Sequence, residues 1–228
     1  PQARARVRRV LAGKLRPPAP AAPKPPARPR SRMFADISGH QKNVDLGEYA
    51  AARHTHIAIK LTEGTGFTSD TGVERWAKAR SLGLLRIGYH FARPSKNTAA
   101  AEARHFAQIA KKAGISSTDV LVLDWEDPDW IGQGDAWAAA FFAELSRLLP
   151  GVQAGRQWLY SYGPYAARTL TSTHGRRYWH AAYIADPLST VPAWARDRLV
   201  AVQFTDGHSG SQPHSLPGIG RCDINRWT

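Results

Sequence analysis

Val120-Leu121-Val122-Leu123-Asp124-Trp125-Glu126 decides how this chain is read. Four apolar residues in a row that end in two acids suit a strand buried on both faces, with a C-terminal end opening onto a polar surface. Side chains at i and i+2 of a strand share one face, roughly 6.5–7 Å apart at the backbone. Asp124 and Glu126 therefore point the same way. Two carboxyl groups side by side in a partly dry site cannot both ionise freely, so one pKa rises. A raised carboxylic acid beside an ionised one is the equipment for cleaving an acetal linkage. An exposed strand end trailing into the acidic Asp127 and Asp129 would give the same triplet, so its meaning depends on the rest of the chain.

Working outward, short apolar runs recur at Met33–Ile37, Ile57–Leu61, Leu85–Phe91, Gln157–Ser161, Tyr178–Tyr183 and Leu199–Phe204. Between the early ones lie helical stretches at about 45–53, 70–82, 98–113 and 134–149. Thr68, Ser69 and Asp70 offer caps for the second helix, and Gly83 offers its stop. Trp137, Phe141, Leu145 and Leu148 recur at helical spacing in the fourth and predict a buried stripe. Strand–helix alternation with nearly continuous apolar strands indicates an α/β fold around a parallel sheet. After residue 160 the helices shorten. A (β/α) barrel with a reduced second half fits best, and an open doubly wound sheet is the alternative.

The strand ends carry residues that a core does not ask for: Asp36-Ile37-Ser38, Lys60-Leu61-Thr62-Glu63, Tyr89-His90-Phe91, Tyr160-Ser161-Tyr162, Trp179 to Tyr183 and Gln203-Phe204-Thr205. Asp223-Ile224-Asn225 adds to them near the C-terminus. Parallel barrels draw their catalytic groups from several strands at this mouth, so the set predicts one polar, aromatic-lined crater. Trp125, Trp179 and Trp227, beside these polar residues, are candidates for stacking on sugar rings, whereas Trp76 and Trp137 read as core. Other chemistries fit less well. The nine histidines include no metal-ligand spacing, and His54, His56 and His90 read as structural. No Gly-x-Ser-x-Gly elbow, P-loop or dinucleotide loop is present. The single Cys222 excludes an internal disulfide and reads as a buried thiol.

The net charge of +13 belongs mainly to one end. Residues 1–32 hold ten Lys or Arg, eight of the sixteen prolines and no acid, which leaves 21 basic against 18 acidic residues from Met33 onward. Proline removes amide donors and extends its neighbours, so residues 1–32 read as a solvated, disordered tail and residues 33–228 as one folded domain. Val10-Leu11-Ala12-Gly13 is broken by Lys14 and makes no apolar core of a secretory signal. No run of about 18 apolar residues marks a transmembrane helix.

In this order, Asp36-x-Ser38-x-x-Gln41, Lys60-x-Thr62-Glu63-Gly64, Tyr89-His90-Phe91, Asp124-x-Glu126, Trp179 to Tyr183, Gln203-Phe204-Thr205 and Asp223-x-Asn225 resemble glycoside hydrolase family 25, the Chalaropsis-type lysozymes or N-acetylmuramidases found in bacteria and as phage endolysins. The resemblance runs from Met33 to Thr228. It implies a flattened (β/α)5(β)3 barrel, without metal or organic cofactor, that cleaves the β-1,4 bond between N-acetylmuramic acid and N-acetylglucosamine in peptidoglycan. By that likeness Glu126 is the general acid and then base, and Asp124 holds the substrate's 2-acetamido group. Asp36 and Asp223 complete the acid cluster, and Tyr89, Tyr160, Trp179, Tyr183, Gln203 and Asn225 line the sugar subsites. Two departures are visible. Val202 stands where relatives often carry Trp, which weakens one expected stacking surface, and His180 stands where an aliphatic residue is usual. The likeness further implies a monomer acting at the bacterial wall, phage-encoded and accumulating until membrane opening, or secreted by another route. The basic tail is the visible candidate for attraction to anionic wall polymers. A non-catalytic peptidoglycan-binding barrel is the alternative. A specific nucleic-acid protein ranks last, because such tails bind polyanions indiscriminately.

Overall fold

The computed structural model describes residues 30–228. The expected tail therefore lies almost wholly outside the described residues. The strands are β1 (Met33–Ile37), β2 (His56–Glu63), β3 (Phe67–Thr68), β4 (Leu85–Phe91), β5 (Val120–Asp124), β6 (Gln157–Tyr162), β7 (Arg177–Ala181), β8 (Leu199–Thr205), β9 (Ser215–Leu216), β10 (Gly220–Arg221) and β11 (Asp223–Trp227). The helices are α1 (Leu46–Ala51), α2 (Asp70–Ser81), α3 (Ala99–Lys112), α4 (Asp135–Leu148) and α5 (Gly163–Thr169). Local chemistry sets several boundaries. Asp45, Ser69 and Thr98 accept from first-turn amides of α1, α2 and α3, the usual capping arrangement. Gly83, at φ +71°, leaves α2 in the left-handed region.

The sheet order is β1-β11-β8-β7-β6-β5-β4-β2, and a parallel β1–β2 pairing closes the ring, with β3 pairing the last two residues of β2 on the edge away from β4. Closure decides against the open doubly wound alternative. Five strand–helix units are followed by β7, β8 and β11 without α-helices between them, so the barrel is (β/α)5(β)3. β11 runs antiparallel to both β1 and β8.

Alternation along each strand divides the apolar residues into two layers. Phe34, Ala58, Ile87, Val120, Val122, Trp158, Tyr160, Trp179 and Ala201 pack inside the barrel. Ala35, Ile57, Ile59, Leu121, Leu123, Trp125, Leu159, Val202 and Ile224 pack between barrel and helices, against Trp76, Phe106, Phe141 and Leu145. Phe141 and Leu145 are fully buried, and Trp137 and Leu148 are half-buried against the same layer. The interior is thus a packed plug, as in other parallel barrels, and polar chemistry is confined to its two ends.

Candidate active site

A cavity of about 160 Å³ opens at the C-terminal ends of the parallel strands, lined by Asp36, Lys60, Tyr89, Asp124, Glu126, Tyr160, Trp179, Gln203 and Asp223, with Ser38, His40 and Phe91 at its edge. All four expected acids therefore meet. Strand parity puts them there. Val120 and Val122 fill the plug, so Asp124 and Glu126 continue the same inward row above it. Asp223 arrives differently: β11 is reversed, so its first residue, paired with Asp36, lies at the mouth.

Asp36 is held by two amides. The Nδ2 of Asn225 and the Nε2 of Gln203 each donate to its Oδ2 at 2.8 Å. Both amides are fixed from behind: Trp179 Nε1 donates to Asn225 Oδ1 at 2.8 Å, and Tyr160 Oη donates to Gln203 Oε1 at 2.9 Å. Tyr183 Oη also donates to Gln203 Oε1. Aromatic donors occupy the amide oxygens, which turns the amide nitrogens towards the carboxylate, and Asn225 Nδ2 also donates to Phe34 O at 3.2 Å.

Burial lifts every acid here. Asp223 rises to about 9, through burial and the neighbouring charge of Asp36, with which it shares a hydrogen bond. Asp36 is raised by burial, against the pull of Asn225 and Gln203. Glu126 rises to about 7 through burial and then Asp36, while Lys60 pulls it down. Asp124 lies well above the usual carboxylate range, first from burial and then from Glu126. Its Oδ1 is buried and has no hydrogen-bond partner among the described residues.

The rim acids have other work. Glu63 accepts from Lys60 Nζ at 2.6 Å and from Arg93 Nη2 at 2.6 Å. Asp127 accepts from Arg93 Nη1 at 3.2 Å and from Ser95 Oγ at 2.6 Å. Asp127 is therefore a loop clamp and not part of a solvated acidic tail to the triplet.

Several expectations need correction. Trp125 is fully buried on the outer side of β5, with its indole N–H on Thr169 Oγ1 at 3.0 Å, and cannot meet a sugar. Trp227 lies at the opposite pole, beside His56 and Trp158. Asn225 is fully buried beneath Asp36 and outside the cavity lining. Tyr183 stays beside the acids as expected, on an adjoining apolar groove that it shares with Glu126 and Tyr162. Val202 faces the outer layer, so no stacking surface is weakened there. His180 is buried, bonded to Thr190 Oγ1 at 3.0 Å, and pushed down to about 4 by burial, hence neutral. His90 is buried between Thr62 Oγ1 and Glu102 Oε2, both at 2.7 Å. Ser38, Lys60 and Phe91 belong to the strand-end set that predicts the crater but carry no assigned role in the sequence reading, and His40 is not singled out there. Lys60 and Phe91 are signalled by inward parity from Ala58 and Tyr89, whereas Ser38 and His40 sit beyond β1, where no periodicity applies.

Acetal hydrolysis is the chemistry that paired, unequally protonated carboxyl groups serve, and barrel glycoside hydrolases are the class so marked. Within that class the chain belongs to Glycosyl hydrolases family 25, which it matches over residues 35–212. It is 28% identical over 188 residues to a lysozyme of Lactococcus phage mv1, across 78% of this chain and 90% of that protein. A shorter match, 33% over 72 residues, links it to Lysozyme M1 of Streptomyces globisporus, covering 32% of this chain and 24% of that protein. The chain thus spans about a quarter of the Streptomyces globisporus protein's length in that match. The bacterial lysozyme from Streptomyces coelicolor shares the fold, with a TM-score of 0.66 at 21% identity over 86% of this chain and 91% of that one.

Proposed function

We propose that the protein is a muramidase that hydrolyses the β-1,4 bond between N-acetylmuramic acid and N-acetylglucosamine in bacterial peptidoglycan, and so acts at the cell wall. The carrying observation is that Glu126, lifted to about 7, faces one cavity with Asp124, whose Oδ1 lacks a partner. The match to a phage lysozyme over most of both chains supports an endolysin-like role.

In the reactive form the proton sits on Glu126, and Asp124 is ionised. A substrate amide N–H donated to Asp124 Oδ1 stabilises that charge and so fixes the proton's location. Glu126 then protonates the leaving glycosidic oxygen while the acetamido oxygen attacks the anomeric carbon. The resulting carboxylate of Glu126 takes a proton from the water that completes hydrolysis. Asp36 and Asp223 share a proton beside it and keep the cavity from gaining a second free charge.

The test is to digest purified wall and identify the new reducing end by mass. N-acetylmuramic acid is expected, and a new N-acetylglucosamine end would refute the bond assignment. Binding to insoluble wall without any new reducing end would instead favour the non-catalytic barrel.

A further inference from the structure

The opposite pole of the barrel carries a second cavity, of about 300 Å³, lined by His56, Thr118, Arg156, Trp158, Arg177 and Trp227 together with Arg86. These residues come from the starts of β2, β4, β5, β6 and β7 and from the end of β11, so the plug of Phe34, Val122 and Trp179 separates this cavity from the mouth. Its charge is not neutralised from within. Arg86 is spent on Asp119, through contacts of 2.9 and 2.6 Å. Ser116 donates to that same carboxylate, leaving it no capacity for a further cation. Arg156 and Arg177 are exposed, and among the described residues neither side chain has a hydrogen-bond or ion-pair partner. Arg30, Arg32 and Arg226 are exposed near the same ends of β1 and β11. Burial, Arg156 and Arg30 together push His56 down, as a local positive field does. The chain also enters β1 at this pole from residues 1–32, whose sequence holds ten Lys or Arg and no acid.

We propose that this floor cavity is a binding site for a phosphodiester-linked polyol chain, with the phosphate on Arg156 and Arg177 and the neutral polyol unit in the apolar pocket beside Trp158 and Trp227. Guanidinium groups pair with phosphate through parallel N–H donors. The pocket favours a small flexible unit over a nucleobase. Single-stranded nucleic acids stack on open aromatic faces, but Trp158 is buried and meets Trp227 edge-on at 85°, while Phe34 covers one face of Trp227 at 4.5 Å. Because the floor faces away from the acid cluster, a polyanion held there neither meets the carboxylates nor blocks them. The site does not depend on the hydrolytic reading, and its probe contains no glycosidic bond.

The test uses the full-length chain, so that the basic leader contributes equally to every arm. Binding of a short glycerol phosphodiester oligomer is measured by calorimetry over a range of salt concentrations, for the wild type, R156Q/R177Q and the charge-matched control K42Q/K96Q, whose exposed lysines lie in the loops after β1 and β4 at the other pole. The floor variant is expected to bind about tenfold or more weakly at low salt, since each lost contact is a charged hydrogen bond. The slope of log affinity against log salt should fall by about 0.7, the value per neutralised phosphate of flexible strands. Rates on soluble glycan oligomers should not change in the floor variant. Equal loss in both variants would reduce the effect to net charge and overturn the site. So would an oligonucleotide that binds as tightly with the same dependence on Arg156 and Arg177, or an unaltered affinity in R156Q/R177Q.

Discussion

Replacing Glu126 by Gln should remove activity and increase stability at the same time. The acid's pKa lies at about 7 in the fold against 4.5 for the free side chain. At about 1.4 kcal/mol per pH unit, that gap corresponds to about 3 kcal/mol by which the folded state disfavours the ionised form. The sign follows from linkage: a raised carboxyl pKa leaves stability intact below about 4.5 and erodes it as pH rises towards 7. Glutamine keeps the shape and never ionises. Mutant and wild type should therefore melt alike at pH 4, and the mutant should gain up to about 3 kcal/mol above pH 7. For a domain of this size that is roughly 6–12 °C in Tm. Turbidity clearing and reducing-end release should meanwhile fall by about 10²–10⁴-fold, the range for a lost general acid. Thermal melts at pH 4 and pH 8, run beside the lytic assay, separate the two effects. A variant that keeps its rate would refute the catalytic role, and one that melts lower at pH 8 would refute the electrostatic reasoning.

Because Glu126 must be protonated to act, the wild-type rate should fall about tenfold per pH unit above about 7, as read from initial rates on soluble oligomers. Gly134→Ala places a Cβ about 2.1 Å from Trp125 Cζ2, which should cost about 1–3 kcal/mol in urea unfolding. It should also slow catalysis, because Trp125 anchors the backbone between Asp124 and Glu126. Arg86→Met strands the buried Asp119 carboxylate and should cost about 3–5 kcal/mol at neutral pH.

The early barrel was legible because its chemistry is local. β1 and β4 begin and end where their apolar runs do, and Ser69 and Gly83 bound α2 as their residue types require. β11 was harder to recognise as a strand. Its inward positions are Asp223, Asn225 and Trp227, so the alternation that normally marks a strand reads as polar where the barrel should be apolar. The four acids were reachable from Asp124-x-Glu126 and the ordered strand ends. Their partners were less so, because the Gln203–Asp36 and Asn225–Asp36 bonds join residues more than 160 positions apart. The error over Trp125 was avoidable by parity: if Asp124 and Glu126 face inward, the residue between them faces outward. Trp227 needed the direction of β11, which only the ring closure reveals.

The reversed last strand has a practical consequence for handling this molecule. β1 starts and β11 finishes side by side, with Met33 opposite Arg226. An affinity tag, a fluorescent partner or a covalent tether joined at either end of the barrel would hang from the base of the cup rather than its lip. Immobilised on a bead by either route, the enzyme should present its open side outward and still reach a polymer too large to diffuse.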